Sequence, residues 1–166
     1  MKFGSFFLKE PEQFPTAPDG DPWGEEVVAL TLSGTHFTVT GLSARQANYV
    51  RQRYGDFVVA TPIATALAIP LRICHADPGI FHPFERRGWT YTLDRDYGPR
   101  RIRIAGLELM ARLDWSPHLA ATLWAATETV PGFNLAFDNV FRMVSAYALL
   151  ARGGVLLHSA GLSAGT

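Results

Sequence analysis

Apolar and polar residues alternate over many short segments of this chain, and such alternation predicts β-strands that are buried on one face. The clearest pair is Val27–Leu32 and His36–Leu42, which are rich in Val, Thr and Phe and are separated by Ser33-Gly34-Thr35. This arrangement predicts a β-hairpin. Further strands are predicted over Asp56–Ala60, Leu67–Ala76, Gly88–Tyr97 and Arg101–Leu113.

Three features qualify these strands. Pro70 has no backbone N–H to give to a central ladder, so Leu67–Ala76 is expected at a sheet edge or at a bulge. Gly106 is expected to bend the strand Arg101–Leu113. The segment Asp114–Trp124 fits either a strand or a short helix, and its periodicity does not choose between them.

Helical periodicity occurs twice. Ser43 and Gln46 have the spacing of a capping box, Ala47 and Val50 lie on one face of the helix that follows, and Gly55 is expected to end it. After residue 131 a longer helix with a wide apolar face is predicted. Its apolar positions are Phe137, Val140, Phe141, Val144, Ala148 and Ala151.

The long helix is expected to begin at a cap formed by Asn134 or Asp138 and to end at Gly153. Val155–Ala160 then predicts a short strand that is buried on both faces. Together these elements predict an α+β fold, in which a mostly antiparallel sheet with one short helix precedes a long helix and a buried strand. We divide the chain into a flexible arm (1–24), a mainly β domain (25–131) and a helix with a strand (132–166).

Composition excludes several classes of partner. The 15 cationic and 15 anionic residues give a net charge of zero, which favours neither nucleic acid nor an anionic membrane surface. The single cysteine, Cys74, cannot form an intramolecular disulfide, and no apolar stretch is long enough to span a membrane. We therefore expect a cytoplasmic protein.

Several polar groups are candidates for chemistry. His75, Asp77, His82 and Glu85 could bind a metal ion, although their spacing matches no dedicated motif and the intervening Pro and Gly residues are typical of a solvated loop. Asp94, Asp96 and Glu108 could act as paired carboxylates, but Asp-Arg-Asp on a strand is more typical of cross-strand charge pairing. Arg100, Arg101 and Arg103 could contact a phosphate.

The phosphate-binding P-loop requires a lysine within G-x-x-x-x-G-K-[ST]. Lysine occurs only as Lys2 and Lys9, so these 166 residues contain no such motif and are expected to have no catalysis of that kind. His158 and Ser159 are adjacent on the predicted last strand, where their side chains point to opposite faces and cannot act as base and nucleophile together.

The run YALLARGGVLLHSAGL (Tyr147–Leu162) resembles the segment that precedes the P-loop in bacterial HPr-kinase-like serine kinases. More distantly, its His-Ser-Ala resembles the Met-His-Cys-Ser-Ala-Asn strand of ATP-dependent phosphoenolpyruvate carboxykinases. The metal-binding lysine of those enzymes has no counterpart near Asn139. Phe81–Tyr97 and Ala105–Trp115 look like the N-terminal domain of HPr-kinase-related proteins.

The resemblance implies that residues 132–166 open a kinase-like core, in which Gly153 and Gly154 match the break between helix and strand. His158 matches a strand histidine near the cofactor, and the P-loop would lie beyond Thr166. The complete protein is then expected to bind ATP and Mg and to phosphorylate a serine of a protein or peptide. These residues would be its partner-recognition or structural part.

Two alternatives stay open. The chain could be a self-contained, non-catalytic adaptor that binds a protein or peptide at an exposed sheet edge. Its apolar last strand is then expected either to pair with the N-terminal sheet or to mediate dimerisation, which gives possible homo-oligomers. A free-standing hydrolase or metal enzyme would instead use His75, His82 or His118.

Overall fold

The computed structural model describes residues 19–60, 68–77, 94–106, 109–115, 117–129 and 132–156. Within these ranges the fold is α+β, as predicted, with one mostly antiparallel sheet and two helices. None of the described helices is long and apolar enough to cross a membrane. The strands are β1 (Glu26–Leu32), β2 (Thr35–Leu42), β3 (Ile69–His75), β4 (Asp94–Tyr97), β5 (Arg101–Gly106), β6 (Leu109–Asp114) and β7 (Ala120–Ala125); the helices are α1 (Ala44–Arg53) and α2 (Gly132–Leu150).

The sheet has the strand order β1-β2-β3-β7-β6-β5-β4. Its centre is parallel, because β3 pairs in parallel with both β2 and β7, whereas every other neighbouring pair is antiparallel. Helix α1 lies between β2 and β3 in the chain and supplies the long crossover that a parallel pair needs. Strands β4 to β7 then follow one another as an antiparallel meander.

The predicted hairpin and first helix are confirmed. Ser33 and Gly34 both have positive φ, as a tight turn matched to strand twist requires. The Gln46 backbone N–H donates to Ser43 Oγ at 3.3 Å, and the Ser43 N–H donates to Gln46 Oε1 at 3.0 Å, so the capping box is present. Val50 is fully buried on the face predicted for the core.

The strand predicted over Asp56–Ala60 is wrong. The chain instead forms a short 3-10 turn at Gly55–Phe57, after which Val58 makes a single bridge to Leu30 of β1. The apolar residues of this segment resemble a strand in composition, but the turn that ends α1 extends into them and leaves too few extended residues for a ladder.

The single bent strand predicted over Arg101–Leu113 is also wrong. The chain reverses between Gly106 and Leu109, which pair with each other, and so forms the two antiparallel strands β5 and β6. The alternation of apolar residues continues through the reversal, so the sequence pattern does not reveal it. For Asp114–Trp124 the strand alternative is confirmed by β7.

Pro70 does not place its strand at an edge. Strand β3 is third in the sheet and has neighbours on both sides. Pro70 is tolerated because it is the second residue of the strand and lies before Leu71, where the pairing with β7 begins. Of the strand predicted over Gly88–Tyr97, β4 covers the end, and residues 88–93 lie outside the described residues.

Both helices pack against the same face of the sheet, where the main core is formed by alternate residues of the strands. Phe37 of β2 meets Phe141 of α2 edge to face, with ring centroids 5.2 Å apart, and Tyr49 of α1 meets Phe133 of α2 at 6.0 Å. A smaller apolar cluster, which includes Cys74, lies on the opposite face.

Helix α2 begins at Gly132, so Asn134 and Asp138 lie inside it and are not its caps. It ends as predicted at Gly153, whose φ is 76°, and the Gly154 N–H donates to the Leu149 carbonyl at 2.8 Å. These features form a Schellman motif. Beyond it the chain leaves the helix.

The first two residues of the predicted strand Val155–Ala160 form no strand. Val155 is 67% exposed, and Leu156 also belongs to no strand. Residues 157–160 lie outside the described residues. Arg152 donates to the Gly34 carbonyl and to Thr35 Oγ1, both at 2.9 Å, which ties the end of α2 to the β1–β2 turn.

Residues 19–24, which the sequence assigns to the arm, are held between β2 and β3. The Trp23 N–H donates to the Gly41 carbonyl of β2 at 2.9 Å, and the His75 N–H of β3 donates to the Asp21 carbonyl at 2.6 Å. Arg72 adds a hydrogen bond to the Gly20 carbonyl at 2.9 Å. This segment therefore pairs with backbone groups of β2 and β3 beyond Thr40 and Arg72, the last pair of their shared ladder.

Candidate functional site

A cleft of about 230 Å³ lies between α2 and the outer strands of the sheet. Its lining combines an apolar surface with a small number of polar side chains, which is the composition typical of binding sites. The apolar lining residues are Ile102, Ile104, Leu109 and Met143, and the polar ones are Arg95, Tyr97, Asn139 and Tyr147.

The strand register explains how the sheet contributes to the cleft. Arg95 and Tyr97 are two residues apart on β4, so they share the face that carries the helices. Arg95 pairs with Ile104 of β5, and Tyr97 pairs with Ile102, so these four side chains stand side by side on that face. On this face, each of these two polar residues of β4 therefore lies beside an apolar residue of β5.

Helix α2 supplies the opposite wall. Asn139, Met143 and Tyr147 are four residues apart, and this spacing places them along one stripe of the helix. The Asn139 side-chain amide donates to the Leu135 carbonyl at 2.8 Å. The Tyr147 ring stacks on Trp115, with centroids 5.6 Å apart and planes 11° apart. The helix wall is thus held from within the helix and by Trp115, the residue that follows β6.

The charge of the cleft comes from Arg95, since none of its described lining residues is acidic. Burial raises the pKa of the Tyr147 phenol, Tyr97 raises it further, and Arg95 acts in the opposite direction. Arg95, Tyr97 and Tyr147 are therefore close enough to interact electrostatically. The described lining of the cleft therefore holds one guanidinium and two phenols close together.

The size of the cleft limits what it could hold. Small-molecule sites usually measure roughly 300–1,000 Å³, so a cleft of about 230 Å³ suits one large side chain better than a nucleotide. Its described lining contains no serine, cysteine, histidine or carboxylate that could serve as a nucleophile or general base.

The two edges of the sheet differ in how they are covered. On the outer edge of β1, the Val59 N–H donates to the Ala29 carbonyl at 3.1 Å, and Val58 bridges to Leu30. Strand β4 is the other edge, and no strand in the described part of the chain pairs with its outer side. This outer side of β4 lies directly beside the cleft.

The cofactor residue predicted from the resemblance, His158, lies outside the described residues, as do His82 and Glu85. His75 is exposed at the end of β3, where its ring meets Trp23 edge to face at 4.7 Å. Asp77 follows it and is exposed. Among the residues that the structure describes, no group of three or more His, Cys, Asp or Glu side chains could hold a metal ion.

The interpretation of Asp96 as part of a cross-strand charge pattern is confirmed. Arg103 of β5 lies opposite Asp96 and donates to its Oδ2 at 2.6 Å from both Nε and Nη2. Asp96 is thus a partner of Arg103, and Arg103 is not an open phosphate ligand. Glu108 lies outside the described residues.

A second polar cluster joins the two helices and was not predicted from the sequence. The hydroxyl groups of Tyr49 and Tyr54 both donate to Asp138 Oδ1 at 2.9 Å, and Arg53 lies 3.6 Å from Oδ2. Asp138 lies on the half-buried part of α2. The only sequence signal was a carboxylate within an apolar helix, and it was interpreted as a cap.

Burial, together with the hydrogen bond to Asp138, raises the pKa values of Tyr49 and Tyr54 above their ordinary range. Folding therefore favours the neutral phenols, and their stabilising effect is complete below about pH 10. This contribution of the neutral phenols to stability is lost as the pH rises above about 10 and passes through the raised pKa values.

We expect a spectrophotometric titration of tyrosinate to show a late-titrating fraction in the folded protein. Tyr54→Phe should reduce the amplitude of this fraction. Tyr97→Phe should leave the part of the fraction that comes from Tyr54 unchanged. A single titration shared by all five tyrosines of the native protein would contradict the buried hydrogen bonds.

Comparison of this chain with protein-family models, with curated proteins and with solved structures finds no match. The interpretation of the site therefore rests on its geometry and on the sequence itself.

Proposed function

We propose that these residues belong to an HPr-kinase-like serine kinase and form its non-catalytic, partner-recognition part. The complete protein would use ATP and Mg to phosphorylate a serine of a protein or peptide in the cytoplasm. The observation that carries the recognition role is the cleft between β4 and α2, which lies beside the outer side of β4, where no described strand pairs. The outer side of an edge strand can pair with an extended polypeptide.

The kinase assignment is supported by the resemblance of Tyr147–Leu162 and by the local geometry of its described part. Tyr147 packs inward on Trp115, and Gly153 and Gly154 end the helix where the resemblance places the break between helix and strand. Beyond Gly154, Val155 is 67% exposed and belongs to no described strand.

The assignment is tested by ATP binding. Residues 1–166 contain lysine only at Lys2 and Lys9 and are expected to show no ATP binding by calorimetry. The reading frame after codon 166 is expected to encode a G-K-[ST] loop, and the protein extended through that loop should bind ATP in the presence of Mg. A downstream frame without such a loop would reject the kinase assignment.

The second candidate is a self-contained adaptor domain, which the same cleft and edge favour. It predicts cooperative unfolding of residues 1–166 and partner binding without any nucleotide. The two candidates differ in ATP binding by the extended protein, which only the kinase assignment requires.

A further inference from the structure

Helix α1 begins at the end of the sheet where the parallel strands have their carboxyl ends. Its N-cap, Ser43, directly follows Leu42, the last residue of β2, and β3 runs parallel to both β2 and β7. In sheets with parallel strands, ligands bind outside these carboxyl ends, where helix N-termini face them. The first turn of α1 therefore lies where a ligand of such a sheet is expected.

The first turn of α1 is unusual in its charge. It contains no acidic side chain, although a carboxylate would suit the positive end of the helix dipole. Its second residue is instead Arg45, which is exposed and forms no hydrogen bond or ion pair with any described residue. The backbone N–H groups of Ala44 and Arg45 have no acceptor within the helix. A guanidinium and two N–H groups are thus close together at this helix end.

A buried donor without a partner lies at the same place. Gln46 is fully buried, and its Oε1 accepts from the Ser43 N–H at 3.0 Å, which holds the carboxamide at the start of the helix. The Nε2 of this carboxamide has no hydrogen-bond partner among the described residues. A buried N–H group without an acceptor destabilises a fold, so native proteins rarely keep one without a reason.

A second donor of this kind belongs to the segment that packs on the N-cap. Trp23 Nε1 is buried and, within the described chain, also lacks a partner. The next residue, Gly24, lies so close to the N-cap that a Cβ on it would come within 3.2 Å of Ser43 Cα. The two buried groups that lack a partner in this region are therefore both donors, and they call for an acceptor.

We propose that the first turn of α1 binds a phosphate group. Its oxygens accept from the backbone N–H groups of Ala44 and Arg45 and from the Arg45 guanidinium, and the Gln46 carboxamide turns its Nε2 onto one of them. A phosphate group suits this set of donors because it supplies several acceptor oxygens and the negative charge that a helix N-terminus favours. The site requires neither the cleft nor the kinase assignment.

NMR titration of the ¹⁵N-labelled protein with inorganic phosphate tests these contacts, with sodium chloride of equal ionic strength as the reference. The backbone signals of Ala44 and Arg45 and the side-chain amide of Gln46 should shift saturably. The side-chain amide of Gln52, which is exposed near the other end of α1, should not shift.

Methyl phosphate distinguishes the two sources of the group. Shifts equal to those with inorganic phosphate would show that the site accepts a phosphate carried by a larger molecule. Shifts with inorganic phosphate alone would assign the site to the free ion.

Arg45→Glu separates binding from stability, because its two effects have opposite signs. A carboxylate in the first turn should raise the melting temperature of the free protein and abolish the phosphate-dependent shifts. Arg45→Gln should weaken phosphate binding about tenfold, as expected for the loss of a charge-assisted hydrogen bond. Arg142→Gln makes the same change of charge at an exposed position of α2 and should bind phosphate as the native protein does.

The proposal is overturned if phosphate causes no saturable shifts beyond those caused by chloride, or if the Gln46 amide does not respond. Binding by a folded Arg45→Glu variant with native affinity would overturn it as well, and thermal unfolding shows which variants are folded. These outcomes do not involve ATP binding by the extended protein, so this proposal and the kinase assignment can fail separately.

Discussion

Gly41→Ala is expected to destabilise the fold by about 4 kcal/mol, because backbone strain and steric overlap each cost roughly 1–3 kcal/mol. Gly41 has a φ of 78°, a conformation that residues with a Cβ rarely adopt. A Cβ at this position would also overlap the carbonyl oxygen of Ile73 in β3. Urea unfolding measures the loss.

Two other glycines separate the two causes. Gly153 also has a positive φ, of 76°, but has open space around it, so Gly153→Ala should cost about 1 kcal/mol. Gly55 has open space and no positive φ, and Gly55→Ala should be close to neutral. Equal losses for Gly41→Ala and Gly153→Ala would show that β2 and β3 are not as close at Gly41 as the structure places them.

Phe137→Ala is expected to cost about 3–5 kcal/mol, the range for removing a buried aromatic side chain. Phe137 is fully buried on α2 and lies within 6 Å of three aromatic rings: Phe133 at 5.6 Å, and Tyr54 and Phe141 at 5.7 Å each. Its removal leaves a cavity at the junction of the two helices with the sheet.

The matched control is Phe57→Ala, since Phe57 is 41% exposed in the turn after α1. The same atoms are removed there without creating a buried cavity, and the free energy of unfolding should change by less than about 1 kcal/mol. Similar losses for the two variants would contradict the placement of Phe137 at the centre of the core.

Local patterns predicted the elements that depend on neighbouring residues. The hairpin depends on Ser33 and Gly34, the first helix on the Ser43 capping box, and the end of the second helix on Gly153. Each of these signals acts within a few residues of the chain, and each was confirmed. The prediction of a single strand over Arg101–Leu113 was wrong, because the chain reverses after Gly106 without a distinctive turn sequence. The apolar alternation continues through this reversal.

Such local patterns do not predict which distant strands pair with one another. Pro70 predicts an edge strand, yet β3 lies between β2 and β7, and Pro70 is tolerated there because the pairing with β7 begins only at Leu71. The parallel contacts of β3 depend on a crossover through α1 and on the return of the chain after β6. No residue within β3 signals either event.

The cleft was missed for the same reason. Arg95 and Tyr97 belong to a strand, Tyr147 and Asn139 belong to a helix, and only the fold brings them together. The sequence singled out charged residues that are close along the chain, such as Asp94 and Asp96. The residues that line the cleft are instead spaced at two on the strand and four on the helix, which is also the spacing of ordinary core positions.

The parallel centre of the sheet also constrains the order of folding. Leu71 of β3 pairs with Ala121 of β7, so this ladder closes only after the whole meander from β4 to β6 has been synthesised. Contacts between residues so distant in sequence are slow to form, because the intervening chain must lose its freedom first. During synthesis β3 therefore emerges before the strand that pairs with its inner edge, and β7 is the last of the described strands to follow.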